Sequence, residues 1–322
     1  MTADSREGGS AEPEARVDSR SRWIDLDGPL HYLDYGGPGT GPVVVCVHGL
    51  GGSAINWSAI APLLTDRYRL LAPDLAGHGL TQSAGRATSV AANRALLHRF
   101  TEAVPGGPVI LMGNSMGGML SLLEATVAPD AVTGVILLDP ALPFVPARPD
   151  PAVALMFAAF ATPGLGRLVM IRRRRSPEAA VAATLSLCCV DPSRVPADVV
   201  AEHVAVARQR AGFAGLDRDL IMAARSVVGM AGYPRSLAYR RGIRSITAPV
   251  LLVHGARDRL VPVAAARAVA RANPSWSFVV LPDVGHVPQL EAPQATAGAI
   301  RDWLDSTAGR RAAIPEPPAT SR

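Results

Sequence analysis

Gly113-Asn114-Ser115-Met116-Gly117 lies between the apolar run PVILM (108–112) and the helix-like run MGGMLSLLEATVA (116–128). A serine flanked at this spacing by glycines, at a strand-to-helix junction, predicts a sharp turn that lifts the hydroxyl above a sheet. The crowded backbone of such a turn demands small neighbours and strains the residue at its apex. The chemistry this suits is nucleophilic attack, and a hydroxyl needs a base for that. Of seven histidines, His286 in PDVGHVPQLEAP is the one displayed on a loop just after the last β-rich run. The base in turn needs a group that orients its ring. Asp258 in HGARDRLVP, just past the run at 249–254, is the first choice, with Asp139 and Asp283 as rivals at other strand ends. The chain order Ser115, Asp258, His286 is the one expected for a nucleophile on this kind of turn. An oxyanion also requires paired N–H donors. His48-Gly49-Leu50-Gly51-Gly52 follows VVVCVH, and the amides of Leu50 and Met116 are the candidates. Met116 opens a helix, where free amides and the helix dipole favour negative charge.

These groups need a frame. Continuous apolar runs at 43–48, 68–74, 108–114, 132–139, 249–255 and 277–283 read as strands buried on both faces. RWIDLD (22–27) and LHYLDYG (30–36) read as an antiparallel pair at a sheet edge, turning at Gly28-Pro29. Helix-length segments such as 88–104 and 292–306 separate most of the runs. That alternation predicts an α/β fold with a mostly parallel sheet and helices on both faces. It stops between about Ala141 and Thr247, where four helices are expected at 151–162, 177–189, 197–211 and 215–230. The core is thus 22–140 with 248–306, the inserted helical unit 141–247, and the polar ends 1–21 and 307–322 are expected to be disordered tails.

Composition narrows the class. The formal charge is +5 with only 5% aromatics, so a basic stripe interleaved with stacking rings, as nucleic acid requires, is not expected. Cys46, Cys188 and Cys189 include no CxxC pair and are read as reduced, buried thiols of a cytoplasmic protein. The N-terminus has no apolar signal region. Residues 151–171 are strongly apolar and are followed by Arg172–Arg175, but Pro163, Gly164, Gly166 and Arg167 break them, which fits two short helices better than a membrane span. The arginine run is read as a solvated face, with transient contact to an anionic membrane surface as the alternative. No metal-ligand spacing such as HExxH occurs, and no cofactor or metal is expected.

Together these residues resemble the α/β-hydrolase superfamily over about residues 22–306. His48-Gly49, Asp74-Leu75-Ala76-Gly77-His78-Gly79, Gly113 to Gly118, Asp258 and His286 carry the resemblance. It implies an eight-stranded sheet, a helical cap in the insert and a Ser-His-Asp hydrolase, and it makes His78 structural. The GNSMGG form resembles carboxylesterases, single-domain lipases and hydrolases of carbon–carbon bonds in ring-cleavage products. Epoxide hydrolases and haloalkane dehalogenases of this fold carry aspartate where Ser115 stands. The carbon–carbon hydrolases often place tryptophan after the histidine, where this chain has Val287. The apolar insert favours a largely apolar small-molecule ester, with a non-catalytic ligand-binding role as the reading from outside enzymology.

Overall fold

The computed structural model describes residues 18–143, 150–162, 164–166, 176–232 and 234–313. The arginine run 172–175, with residues 163 and 167–171 of the apolar stretch before it, lies outside the described residues. Strands β1 (Ser21–Asp25), β2 (Pro29–Gly36), β3 (Val43–Val47), β4 (Arg69–Pro73), β5 (Val109–Asn114), β6 (Val132–Leu138), β7 (Val250–Gly255) and β8 (Ser277–Leu281) form one sheet. Its order is β1-β2-β4-β3-β5-β6-β7-β8. β1 and β2 pair antiparallel with Trp23 opposite His31, β2 runs antiparallel to β4, and every other pairing is parallel.

Alternation along each strand divides the core. Val45, Val47, Leu111, Val135 and Leu252 face one layer, with α1 (Val90–Ala103) and α2 (Met116–Val127). Val44, Cys46, Ile110, Met112, Ile136 and Val253 face the other. Because both faces are covered, the strands carry apolar residues at consecutive positions. The insert contains α3 (Pro151–Ala161), α4 (Pro177–Cys188), α5 (Ala197–Arg210) and α6 (Leu216–Ala231), close to the four expected helices. It docks on loops at the carboxyl ends of the strands. Cys188 O accepts from the His286 amide at 2.6 Å, and Arg210 donates to Gly77 O at 3.1 Å. No helix among the described residues is long and apolar enough to cross a membrane.

Three boundaries differ from the expectation. A further helix, α7 (Arg235–Ser245), falls in the stretch assigned to the insert, yet its Tyr239 and Ile243 are buried in the same cluster as Leu120 and Leu137. It is a helix of the core layer. At the N-terminus, Arg20 is held by Asp18 and by Glu202 of α5, each at 2.7 Å, so residues 18–20 are docked rather than part of a tail. Beyond α8 (Val263–Ala272), the short α9 (Pro288–Glu291) and α10 (Pro293–Asp305), the chain continues as α11 (Thr307–Ala313) where a tail was expected. Its Ala312 is buried over Gly134 of β6, because a side chain at 134 would occupy the same space.

Candidate active site

Ser115 is the residue between β5 and α2, and its φ of 53° and ψ of −117° place it in a backbone region that non-glycine residues rarely enter. The flanking glycines are sterically required: a Cβ on Gly117 would stand 1.9 Å from Val47 O, and one on Gly113 would stand 2.4 Å from Gly117 O. The turn is held by the Ser115 amide, which donates to Leu138 O at 3.1 Å, and by its carbonyl, which accepts from Ala141 N at 2.8 Å. Met116 is the first residue of α2, where amides have no partner within the helix.

His286 and Asp258 meet at 2.7 Å, Nδ1 to Oδ2, and both residues are buried. Burial pushes the Asp258 carboxyl up, but the facing His286 and its hydrogen bond outweigh that and hold it below the usual value. The other carboxylate oxygen, Oδ1, accepts from the amides of Leu260 at 2.7 Å and Val261 at 3.0 Å, which fixes its plane. Asn114 bridges the parts: its side-chain amide donates to Leu138 O at 2.9 Å and to His286 O at 3.0 Å. The residue beside the serine is therefore bonded to the loop that carries the histidine. On the other flank, Gly49 packs so closely that an added Cβ would stand 3.1 Å from that of Ser115. Gly52 N closes a turn onto Gly49 O at 3.1 Å, with Leu50 at its corner. Leu50 also packs against Phe160, Ile221 and Ala224 of the insert, which gives this loop an apolar roof.

The rivals take other places. Asp283 is exposed and pairs with Arg194 and Arg257, away from the histidine ring. Asp139 lies behind Asp258, with its carboxyl in the same buried cluster. His48 donates through Nδ1 to Gly49 O at 2.8 Å and accepts from Leu75 N at 3.1 Å, so it ties the glycine loop to the loop after β4. Burial, then the neighbouring His48, push His78 down to about 3, so it is neutral, and its Nδ1 donates to Ala76 O at 3.0 Å. Cys46 and Cys189 are buried and Cys188 is half-buried.

The sequence reading missed a second serine–histidine–aspartate chain. Ser21 Oγ is 2.9 Å from His31 Nε2, and His31 Nδ1 is 2.7 Å from Asp74 Oδ2. Here the serine is in an extended strand with no glycine turn, and Asp74 also binds the amides of Ala54 at 2.6 Å and Leu80 at 2.7 Å. These bonds fasten the sheet edge to the loop after β4. No sequence spacing marks the arrangement, since strand pairing alone brings the three residues together.

An eight-stranded α/β sheet with a serine on a strained strand-to-helix turn and a buried histidine–aspartate pair defines a hydrolase-type architecture. The model of the alpha/beta hydrolase family matches residues 44–299, and the chain belongs to that family. It is 29% identical to a pimeloyl-[acyl-carrier protein] methyl ester esterase of Methylococcus capsulatus, over 84% of this chain and 97% of that protein. It is 27% identical to a 2-(acetamidomethylene)succinate hydrolase of Mesorhizobium japonicum, over 83% of this chain and 90% of the other. Its fold is similar to that of a haloalkane dehalogenase from Bradyrhizobium elkani, with TM-score 0.75 at 22% identity over 88% of this chain and 97% of that one.

Proposed function

We propose that this chain is a serine hydrolase that cleaves the carboxylic ester of a largely apolar small molecule through an acyl-enzyme. The observation that carries the reading is the buried 2.7 Å His286–Asp258 bond, joined through Asn114 to the strained turn that presents Ser115. With Nδ1 bonded to Asp258, the His286 ring has Nε2 left for the serine proton. Ser115 Oγ attacks the ester carbonyl as Nε2 takes that proton. The amides of Leu50 and Met116 receive the oxyanion. His286 then protonates the departing alcohol, activates water, and returns the proton to Ser115 as the acid leaves. Asp258 keeps the imidazole in the required tautomer and stabilises its charged form. The similarity to a methyl ester esterase supports an ester as the scissile group, and serine at position 115 distinguishes the chain from aspartate-elbow dehalogenases. The apolar roof of Phe160, Ile221 and Ala224 over Leu50 favours an apolar acyl or alcohol group.

The test is hydrolysis of p-nitrophenyl esters from acetyl to palmitoyl by the wild type, Ser115→Ala and Ser21→Ala. At least one ester is turned over by the wild type, Ser115→Ala loses roughly a thousandfold or more, and Ser21→Ala is unchanged. A fluorophosphonate probe labels Ser115 alone. Labelling without hydrolysis of any ester redirects the substrate search to carbon–carbon bonds, and a folded protein that takes no label refutes the catalytic reading.

A further inference from the structure

Behind His286 and Asp258 stands a carboxyl that the proposed reaction does not use. Asp139 follows β6 with a φ of 45°, a region that aspartate, asparagine and glycine enter most readily. It is fully buried, and its amide donates to Val253 O at 3.0 Å, which pins it to β7. Its Oδ1 accepts from Gly255 N at 2.9 Å and lies 3.1 Å from His254 Nδ1. Its Oδ2 is buried and meets no hydrogen-bond partner among the described residues. An oxygen of Asp139, an oxygen of Asp258 and a ring nitrogen of His286 all lie within 4.8 Å of one another.

Two carboxyls this close and out of water do not both ionise. Donors decide which one keeps the proton. Asp258 receives the Leu260 and Val261 amides and the His286 ring N–H, so it is the better stabilised anion. Asp139 has the oxygen without a donor, which is where a proton resolves the conflict. The other titratable groups around the cluster are His254 on β7, Glu291 on α9 and Cys188 at the end of α4. Burial keeps His254 neutral and pushes the Cys188 thiol up to about 12. In the same sense, burial and then the Asp258 charge hold Asp139 well above the usual carboxylate value.

We propose that Asp139 is a protonated positioning residue whose Oδ2–H donates to the Asp258 carboxylate and holds it against His286. The relay is then four groups long, and a single negative charge faces the histidine. This rests on Asp258 being the acid of the Ser115–His286 pair.

Two measurements on the full chain test it. Infrared difference spectra of wild type against Asp139→Asn at pH 7 should show the carbonyl band of one buried protonated carboxylic acid, present in the wild type and lost in the variant. The same band should persist in Ser115→Ala, so this result does not depend on esterase activity. In kcat/KM against pH, Asp139→Asn keeps a neutral donor, stays within about threefold of wild type and leaves the acid limb in place. Asp139→Leu removes the donor and lowers kcat roughly tenfold with little change in KM. Absence of the band overturns the proposal. So does a fall of the acid limb by about one unit in Asp139→Asn, which is what removing a second anion beside His286 would cause. If Asp139→Leu does not fold, the wild-type and asparagine data decide alone. Esterase activity surviving in Ser115→Ala would instead refute the reaction and leave the infrared result standing.

Discussion

Residue 115 stores strain that the surrounding structure holds in place. Its φ of 53° and ψ of −117° cost on the order of 1–3 kcal/mol for a residue with a Cβ. Glycine adopts this conformation freely, although it gives back part of the gain through its unfolded-state entropy. Ser115→Gly should therefore be more stable than Ser115→Ala by about 1 kcal/mol, read as a melting temperature higher by roughly 2–4 °C. Both variants should be inactive. Equal melting temperatures would place no strain at this residue. The position was legible in the sequence because small residues flank it: Gly113 clears the turn's own backbone at Gly117, and Gly117 clears Val47 of β3. The relation of Asp139 to Asp258 was not legible. Both end or follow a strand, and which of them keeps a proton depends on donors from Leu260, Val261 and His286 that chain folding assembles.

Among the elements, the short α9 does more than its four residues suggest. Its Glu291 side chain is buried and accepts from the amides of Val190 and Asp191 at 2.8 Å each and from Gly285 at 2.7 Å. One carboxylate thus joins the segment after α4 to the residue before His286. Glu291→Ala orphans three amides, that of Gly285 buried and those of Val190 and Asp191 half-buried, and should cost about 3 kcal/mol in urea unfolding. It should also lower kcat more than it raises KM, since the histidine loop loses its brace. Glu291→Gln still accepts through its amide oxygen and should recover part of both. Unchanged unfolding and kinetics would show that the brace carries no load. The sequence displays Glu291 in a loop-like motif, and its partners 100 residues upstream are invisible to any local pattern. α7 was missed for a related reason. RSLAYRRGIRS is rich in arginine and poor in large apolar residues, and it is α2 that supplies the surface its Tyr239 and Ile243 cover.

For the molecule as a whole, the C-terminal boundary is a matter of packing. Truncation after Ser306 removes α11 and uncovers Gly134 beneath Ala312, and Trp303 nearby. That truncation should lower stability by about 2 kcal/mol relative to truncation after Ala313. Chemical denaturation of the two shortened chains makes the comparison, and equal midpoints would make α11 dispensable. Continuous apolar runs marked all the parallel strands in advance, since a sheet covered on both faces demands them. The glycine-flanked turn at Ser115 and the strand-end loops that carry Asp258 and His286 were likewise readable from residue type and order. Tertiary structure decided what those patterns leave open: that α7 and α11 belong to the core, that Arg20 is anchored by Glu202 of the insert, and that Asp139 shares a buried cluster with Asp258. Local sequence dictates backbone sterics and the periodicity of burial. Which polar groups meet, and which of them keeps a proton, depends on residues brought together from distant parts of the chain.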